Sequence, residues 1–167
     1  KKFWGVSSLA GLIDPFEIGG IRIGPSYTYF KKFENEKYFR FDGQVNWSIQ
    51  QNWDTKGYLS TGYRYDPLHN GILSFYGGRQ FDIVVMNDAL SNLFVRNNWI
   101  ENDFLIFGHQ RELINGLLFN TGLSLSERRS IEGYNFLTIT DSLFNGNDVT
   151  PFETYQTTKI SLKLSYT

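Results

Sequence analysis

Two histidines, His69 and His109, are the natural starting points for proton chemistry near neutral pH. His69 falls in the turn-like stretch "DPLHNG" (66–71), and His109 lies in an extended run beside Arg111 and Glu112. Pairing His109 with Ser124 or Ser126 would give a Ser–His hydrolase built into a strand wall, provided the two approached to hydrogen-bond distance. The alternative is a polar strand histidine and a turn histidine with no catalytic task. Asp141, Asn145, Asn147 and Asp148 make an oxygen-rich stretch, but their spacing lacks the positions of a known calcium loop. "GGRQ" (77–80) has no phosphate-loop pattern. With no cysteine, disulfides and thiolate metal sites are excluded. The expectation is therefore a non-enzymatic chain with no catalytic residue, metal or cofactor.

Charge gives a stronger pattern than catalysis. Arg22, Arg40, Lys56, Arg64, Arg128, Lys159 and Lys163 fall on the polar side of alternating runs, with Asp42 the one acid among them. Acids such as Asp54, Asp66, Glu101 and Asp103 read as turn residues. The chain as a whole is balanced, with 16 basic and 17 acidic residues. The segregation predicts a basic face, Arg22, Arg40, Lys56, Arg64, Lys159 and Lys163, lining a lumen that favours anions or an acidic plug. Pairing of these residues with carboxylates from other parts of a barrel is the open alternative. Nothing in the balance asks for nucleic acid.

The elements that carry these residues are two-faced strands. In "YFRFDGQVNWSIQ" (38–50), Phe39, Phe41, Val45, Trp47 and Ile49 alternate with Arg40, Asp42, Gln44, Asn46 and Ser48. The same period of two runs through 21–29, 56–65, 117–126 and 159–166, as expected when successive side chains point to opposite sides of a sheet. Two more strands, 71–83 and 101–113, have no clean phase, and the pair Gly77-Gly78 is a candidate bulge that would switch faces. Turn signals lie at "FENEK" (33–37), "WDTKG" (53–57), "DPLHNG" (66–71) and "LING" (113–116). Such short links imply antiparallel, up-and-down pairing. "NDALSNLFVRN" (87–97) has helical spacing and predicts one short amphipathic helix. Residues 130–157 read as a long loop excursion, with "YNFLTI" (134–139) as an uncertain strand.

A comb of this kind suits a soluble sandwich with its apolar side inward, or a membrane barrel with its apolar side on lipid. Three features favour lipid. The comb at 38–51 exceeds the ~5–6 residues of an ordinary strand and covers the ~9–11 needed to span a bilayer. Tyr27, Tyr29, Phe39, Trp47, Trp53, Tyr63, Tyr65 and Tyr166 sit near the ends of the apolar faces, as interfacial aromatics do. The polar sides carry mostly Gly, Ser, Asn, Gln and Thr. On this reading Phe39, Phe41, Val45, Trp47, Ile49, Leu117, Phe119, Leu123, Ile160 and Leu162 face lipid. No run approaches the ~20 apolar residues of a membrane helix.

The order of several short motifs adds to this. Ile23-Gly24-Pro25, the turn from Glu34 to Lys37, Phe39-Arg40-Phe41, the strand from Gly57 to Gly62, and "QRELINGLLFNTGLSLSERRS" (110–130) follow one another as in a known family. "MNDALSNLFVRNNWIENDF" (86–104) adds a short helix and a following strand. From about Phe16 to Thr167 the chain resembles the barrel of a Bacteroidota outer-membrane family of unknown function that carries an N-terminal carboxypeptidase-regulatory-like domain. Glu36-Lys37 stands where that family has Glu-Gly. The resemblance implies a bacterial outer-membrane location and no known activity.

Together these readings predict an all-β, antiparallel up-and-down transmembrane β-barrel, with 1–167 a single section of a larger barrel and one short helix. Its partners would be the lipid bilayer and the remaining strands of the wall or another protein chain, with a larger outer-membrane complex as a further candidate. The expected role is transport or that of an accessory subunit of an envelope assembly. A soluble β-barrel or sandwich carrying an apolar ligand and a barrel-embedded hydrolase are the rivals.

Overall fold

The computed structural model describes residues 1–8, 10–14, 18–84, 98–134 and 149–166. The helix expected at 87–97, most of the strand expected at 134–139, and Asp141 to Asp148 lie outside the described residues. The described part is all-β and antiparallel: β1 (Lys2–Val6), β2 (Ile13–Asp14), β3 (Arg22–Ile23), β4 (Ser26–Lys32), β5 (Tyr38–Ser48), β6 (Asp54–Asp66), β7 (Gly71–Ile83), β8 (Trp99–Ile114), β9 (Leu117–Arg129) and β10 (Tyr155–Tyr166). The sheet order is β1-β4-β5-β6-β7-β8-β9-β10, with the β2–β3 pair beside β5. From β4 onward every strand therefore pairs with its sequence neighbours, as short turns require. Among the described residues β1 and β10 do not pair, so the sheet is open at both edges.

The register turns the combs into two faces, because directly opposed residues of antiparallel strands point the same way. One row crosses all eight main strands: Trp4, Tyr29, Phe41, Thr61, Phe75, Phe107, Leu123, Ile160. Trp4 lies 4.3 Å from Tyr29, and Phe75 lies 5.2 Å from Phe107, between ring centroids. The adjacent row on the opposite face is Phe3, Phe30, Arg40, Gly62, Ser74, Gly108, Gly122, Ser161. From β6 to β10 that row holds only Gly and Ser. Phe39, Phe41, Val45, Trp47, Leu117, Phe119, Leu123, Ile160 and Leu162 all share the apolar face.

Ile49 does not join them. β5 ends at Ser48, and Ile49–Gln51 form a 3-10 turn followed by Asn52 and Trp53 with positive φ. The turn expected at 53–57 is thus earlier, and Asp54 already belongs to β6. The comb at 21–29 is divided into β3 and β4 by Gly24-Pro25, yet both halves keep one register against β5. A Cβ on Gly24 would stand 1.9 Å from the Val45 carbonyl oxygen, so only glycine allows this approach.

Gly77-Gly78 does not form a bulge: Leu59↔Gly77 and Tyr58↔Gly78 are consecutive pairs. The glycines serve close strand contact instead, since a Cβ on Gly78 would lie 2.2 Å from the Gly57 carbonyl oxygen. Register shifts occur between Arg64 and Asp66 and between Glu112 and Ile114, both beside tight turns. β1 was not legible as a comb.

The two ends of the sheet differ. At one end the links are the tight turns 33–37, 67–70 and 115–116; at the other they are 49–53, 84–98 and 130–154. The small core of Ile18, Phe81 and Ile131, with Trp99, Tyr134 and Val149 against it, lies at the long-link end. None of the residues on the apolar row enters it. Phe107 is 45% exposed, Ile160 72% and Leu162 71%, and nothing among the described residues forms a second layer over them.

Candidate functional site: the polar face and a buried charge cluster

The ladder between β6 and β7 stops at Gly57↔Arg79, while β7 and β8 continue paired to Ile83↔Trp99. The notch between the separated strands is filled by charge. Arg22, on β3, is fully buried. Its guanidinium donates to Asp54 Oδ2 at 2.6 Å, to the Asp54 carbonyl at 3.2 Å, to Asn46 Oδ1 and to the Ile18 carbonyl. Lys56, 3% exposed, donates from Nζ to Asp54 Oδ1 at 3.0 Å, to Glu101 Oε1 at 2.5 Å and to the Tyr134 hydroxyl at 2.6 Å. Tyr134 Oη lies 3.0 Å from Glu101 Oε1. Phe81 floors the cluster, with Arg22 and Lys56 at 5.2 and 4.9 Å from its ring centroid. Ser48, also fully buried, donates to the Gly19 carbonyl at 2.6 Å.

Arg22 and Lys56 are matched by Asp54 and Glu101, and Arg79 and Arg129 approach Glu101 more loosely at 3.8 and 3.9 Å. That is the condition under which buried charge is tolerated: each ion has a partner and further hydrogen bonds. Burial, and then the charges of Glu101 and Asp54, push the Tyr134 hydroxyl well above the ordinary tyrosine range, so it stays a donor. Chemically the cluster is a latch that ties residues 18–22 and Tyr134 to β6 and β8.

The basic residues expected to line a lumen therefore divide. Arg22 and Lys56 stand on the polar side of their strands but are buried and neutralised by Asp54 and Glu101, which lie in strands and not in turns. Arg40, 61% exposed, pairs with Asp42 at 2.6 Å, and Thr28 donates to the same carboxylate. Arg64 donates to the Pro67 carbonyl and to Asn70 Oδ1 in the adjoining turn. Arg128 rests on Tyr155. Only Lys159 and Lys163, exposed on β10, lack an acceptor among the described residues. The polar face also carries an aromatic stack, Tyr58, Tyr76 and Phe104, which the unclear phase of β7 and β8 had concealed.

A second charged group lies on the apolar side. Two residues beyond Leu105 and Leu125 comes the row Arg79, Asp103, Glu127, Gln156. Arg79 grips Asp103 through two bonds of 2.5 and 2.7 Å, Arg129 reaches Asp103 at 2.8 Å and also bonds Glu127, and Gln156 donates to Glu127 at 3.0 Å. At the opposite end Arg111 approaches Asp66 at 3.5 Å, beside the Asp66–His69 contact. Charge thus bounds the apolar face at both ends. This belt was missed because 71–83 and 101–113 could not be phased; the i, i+2 series Arg79/Phe81 and Glu101/Asp103/Leu105 carried the signal.

The residues of the hydrolase alternative are not assembled. His109 shares the apolar face with Thr121, and its Nε2 lies 2.7 Å from the Tyr65 hydroxyl. Ser124 and Ser126 occupy the other face, with Ser126 hydrogen-bonded to Thr157. His69 is held by Asp66. Among the described residues no three His, Asp or Glu side chains gather as metal ligands.

No curated protein and no solved structure matches the chain. The family model for the C-terminal domain of DUF5686, a family of unknown function, matches residues 1–167, and the chain belongs to that family.

Proposed function

We propose that this chain forms part of the wall of an outer-membrane β-barrel, non-enzymatic and serving transport or an accessory role in an envelope assembly. The observation that carries the reading is the largely apolar row crossing eight strands, exposed at Trp4, Phe107, Leu123 and Ile160 and half-exposed between them, on a face limited at both ends by charge. Water-soluble proteins rarely leave contiguous apolar surface of more than a few hundred Å² uncovered. Along β8 the charged limits are Asp103 and Arg111, roughly 27 Å apart along the strand at ~3.3 Å per residue. At a tilt of ~40° that spans ~20 Å, close to the ~25 Å apolar band of such barrels. β5 to β10 run 11 to 16 residues, enough to cross.

The unequal ends supply an orientation. Outer-membrane barrels keep short turns on the periplasmic side and long loops outside. The turns 33–37, 67–70 and 115–116 then face the periplasm, and the charge cluster latches the outer end. The motif resemblance extends the proposal to a Bacteroidota protein with an N-terminal carboxypeptidase-regulatory-like domain.

The test is extraction from native membranes. A wall section stays in the pellet through an alkaline carbonate wash, enters solution only with detergent, and migrates faster unheated than boiled on a denaturing gel. Release by carbonate without detergent would refute the proposal and favour a soluble carrier.

A further inference from the structure

We propose that the open edge of β10 is an acceptor for one specific kind of partner: an antiparallel strand from outside residues 1–167 that carries carboxylates opposite Lys159 and Lys163. The inference deepens the wall reading and rests on it.

Three observations converge on β10. It presents 12 residues at the sheet edge, paired on one side to β9 from Tyr155↔Arg128 to Tyr166↔Leu117 and, among the described residues, unpaired on the other. Backbone N–H and C=O groups left open in hydrocarbon cost several kcal/mol each, so this edge needs a ladder. Its apolar side, Ile160, Leu162 and Leu164, is more exposed than the same row on inner strands: Ile160 is 72% exposed and Leu123, its neighbour in the row, 36%. Its other side carries Lys159 and Lys163, opposite Ser124 and Asn120.

Charge complementarity selects the partner. Where basic residues of this face lie inside the sheet, the chain provides acceptors: Asp54 for Arg22, Asp42 for Arg40, Asp54 and Glu101 for Lys56, Asn70 for Arg64. Asp54 on β6 reaches Arg22 on β3 across β5, and Glu101 on β8 reaches Lys56 on β6 beyond the end of the β6–β7 ladder. Lys159 and Lys163 sit on one of the two open edges of the sheet, where no strand lies beyond β10 among the described residues. Directly opposed residues of an antiparallel pair have Cβ atoms ~4.5–5.5 Å apart, and opposite charges there are favourable while like charges are not. The incoming strand therefore alternates, with apolar residues against Ile160, Leu162 and Leu164 and acids at two positions four apart.

Zero-length carbodiimide coupling of the full-length protein in native membranes tests this, since it joins an amine to a carboxylate only at contact. The expected product links Lys159 or Lys163 to an Asp or Glu outside residues 1–167. It should vanish in Lys159→Gln/Lys163→Gln, which still assembles. Lys159→Glu/Lys163→Glu should lower the gel-shifted, folded fraction several-fold. Coupling only to carboxylates within residues 1–167 would overturn the inference. So would acylation of both lysines by a water-soluble reagent as fast as in urea-unfolded protein. A link that persists in protein released by carbonate would keep the strand partner and discard the membrane.

Discussion

Arginine scanning along the apolar face separates lipid from water and from a protein core. Phe107 stands in the middle row, four residues from Asp103 and four from Arg111. Each separation is roughly 13 Å along the strand, or ~10 Å in height at a ~40° tilt. Phe107→Arg should therefore meet close to the full midplane cost of ~2–4 kcal/mol. At ~1.4 kcal/mol per decade, this is about a 30- to 1,000-fold shift toward the unfolded barrel. Leu125 lies one row from Glu127 on the same face, roughly 7 Å along the strand, so its head group reaches the charged belt. Leu125→Arg should cost only ~0–1 kcal/mol. Leu123→Arg, paired with Phe107, should match Phe107→Arg. Urea titration of the barrel in lipid vesicles, followed by tryptophan fluorescence, measures all three. If the face meets water, all three costs fall within ~0.5 kcal/mol of zero. If it packs beneath another protein layer, the costs are large but do not follow distance from the belt. Either flat profile refutes the lipid assignment.

Three further outcomes follow from the geometry. Lys56→Met takes from Glu101 its nearest cation, leaving Arg79 and Arg129 at 3.8 and 3.9 Å, and should destabilise by up to ~3 kcal/mol, whereas Lys56→Met with Glu101→Leu should recover part of that in a denaturation double-mutant cycle. Gly78→Ala sets a methyl against the Gly57 carbonyl and should cost ~1–3 kcal/mol, while Gly62→Ala, with nothing within 4 Å, should change stability by less than ~0.5 kcal/mol in the same assay. The raised Tyr134 hydroxyl favours the folded state fully below the unfolded tyrosine value of ~10, and that contribution is lost as pH rises beyond it. Tyrosinate absorbance should show one group ionising later than the rest, absent in Tyr134→Phe; an unchanged titration would mean that Tyr134 is not enclosed by the latch.

Alternation is enough to read β5, β6, β9 and β10, because each keeps one side largely apolar for many residues and sets small or charged residues on most of the other. Nine of the ten residues assigned to the apolar side share it in the sheet. Ile49 failed because period two continues on paper past Ser48, while the backbone has already turned. β1 is only five residues, too short for a pattern to emerge from its neighbours. The charge cluster was half legible. Arg22 and Lys56 were recognised as polar-side residues, but Asp54 and Glu101 looked like turn acids. Their pairing depends on β6 and β7 separating beyond Gly57 and Arg79, which no local pattern encodes. The belt of Arg79, Asp103 and Glu127 required a phase for β7 and β8 that a Gly-Gly pair and mixed faces obscured.

The row Gly62, Ser74, Gly108, Gly122, Ser161 gives the sheet a wedge-shaped cross-section. On the other side, Phe75, Phe107, Leu123 and Ile160 hold the surface open, as a keystone is broad on its outer edge. Along this row the sheet is free to bend toward its thin side, while Tyr58, Tyr76 and Phe104 fill the same face nearer the charge cluster. On the wall reading proposed above, the same small residues that make this side polar favour it as the concave surface. A methyl on Gly108 or Gly122 would press on the Ser74 or Ser161 hydroxyl and so resist bending toward that side, leaving the pairing of the strands to the hydrogen-bond ladder.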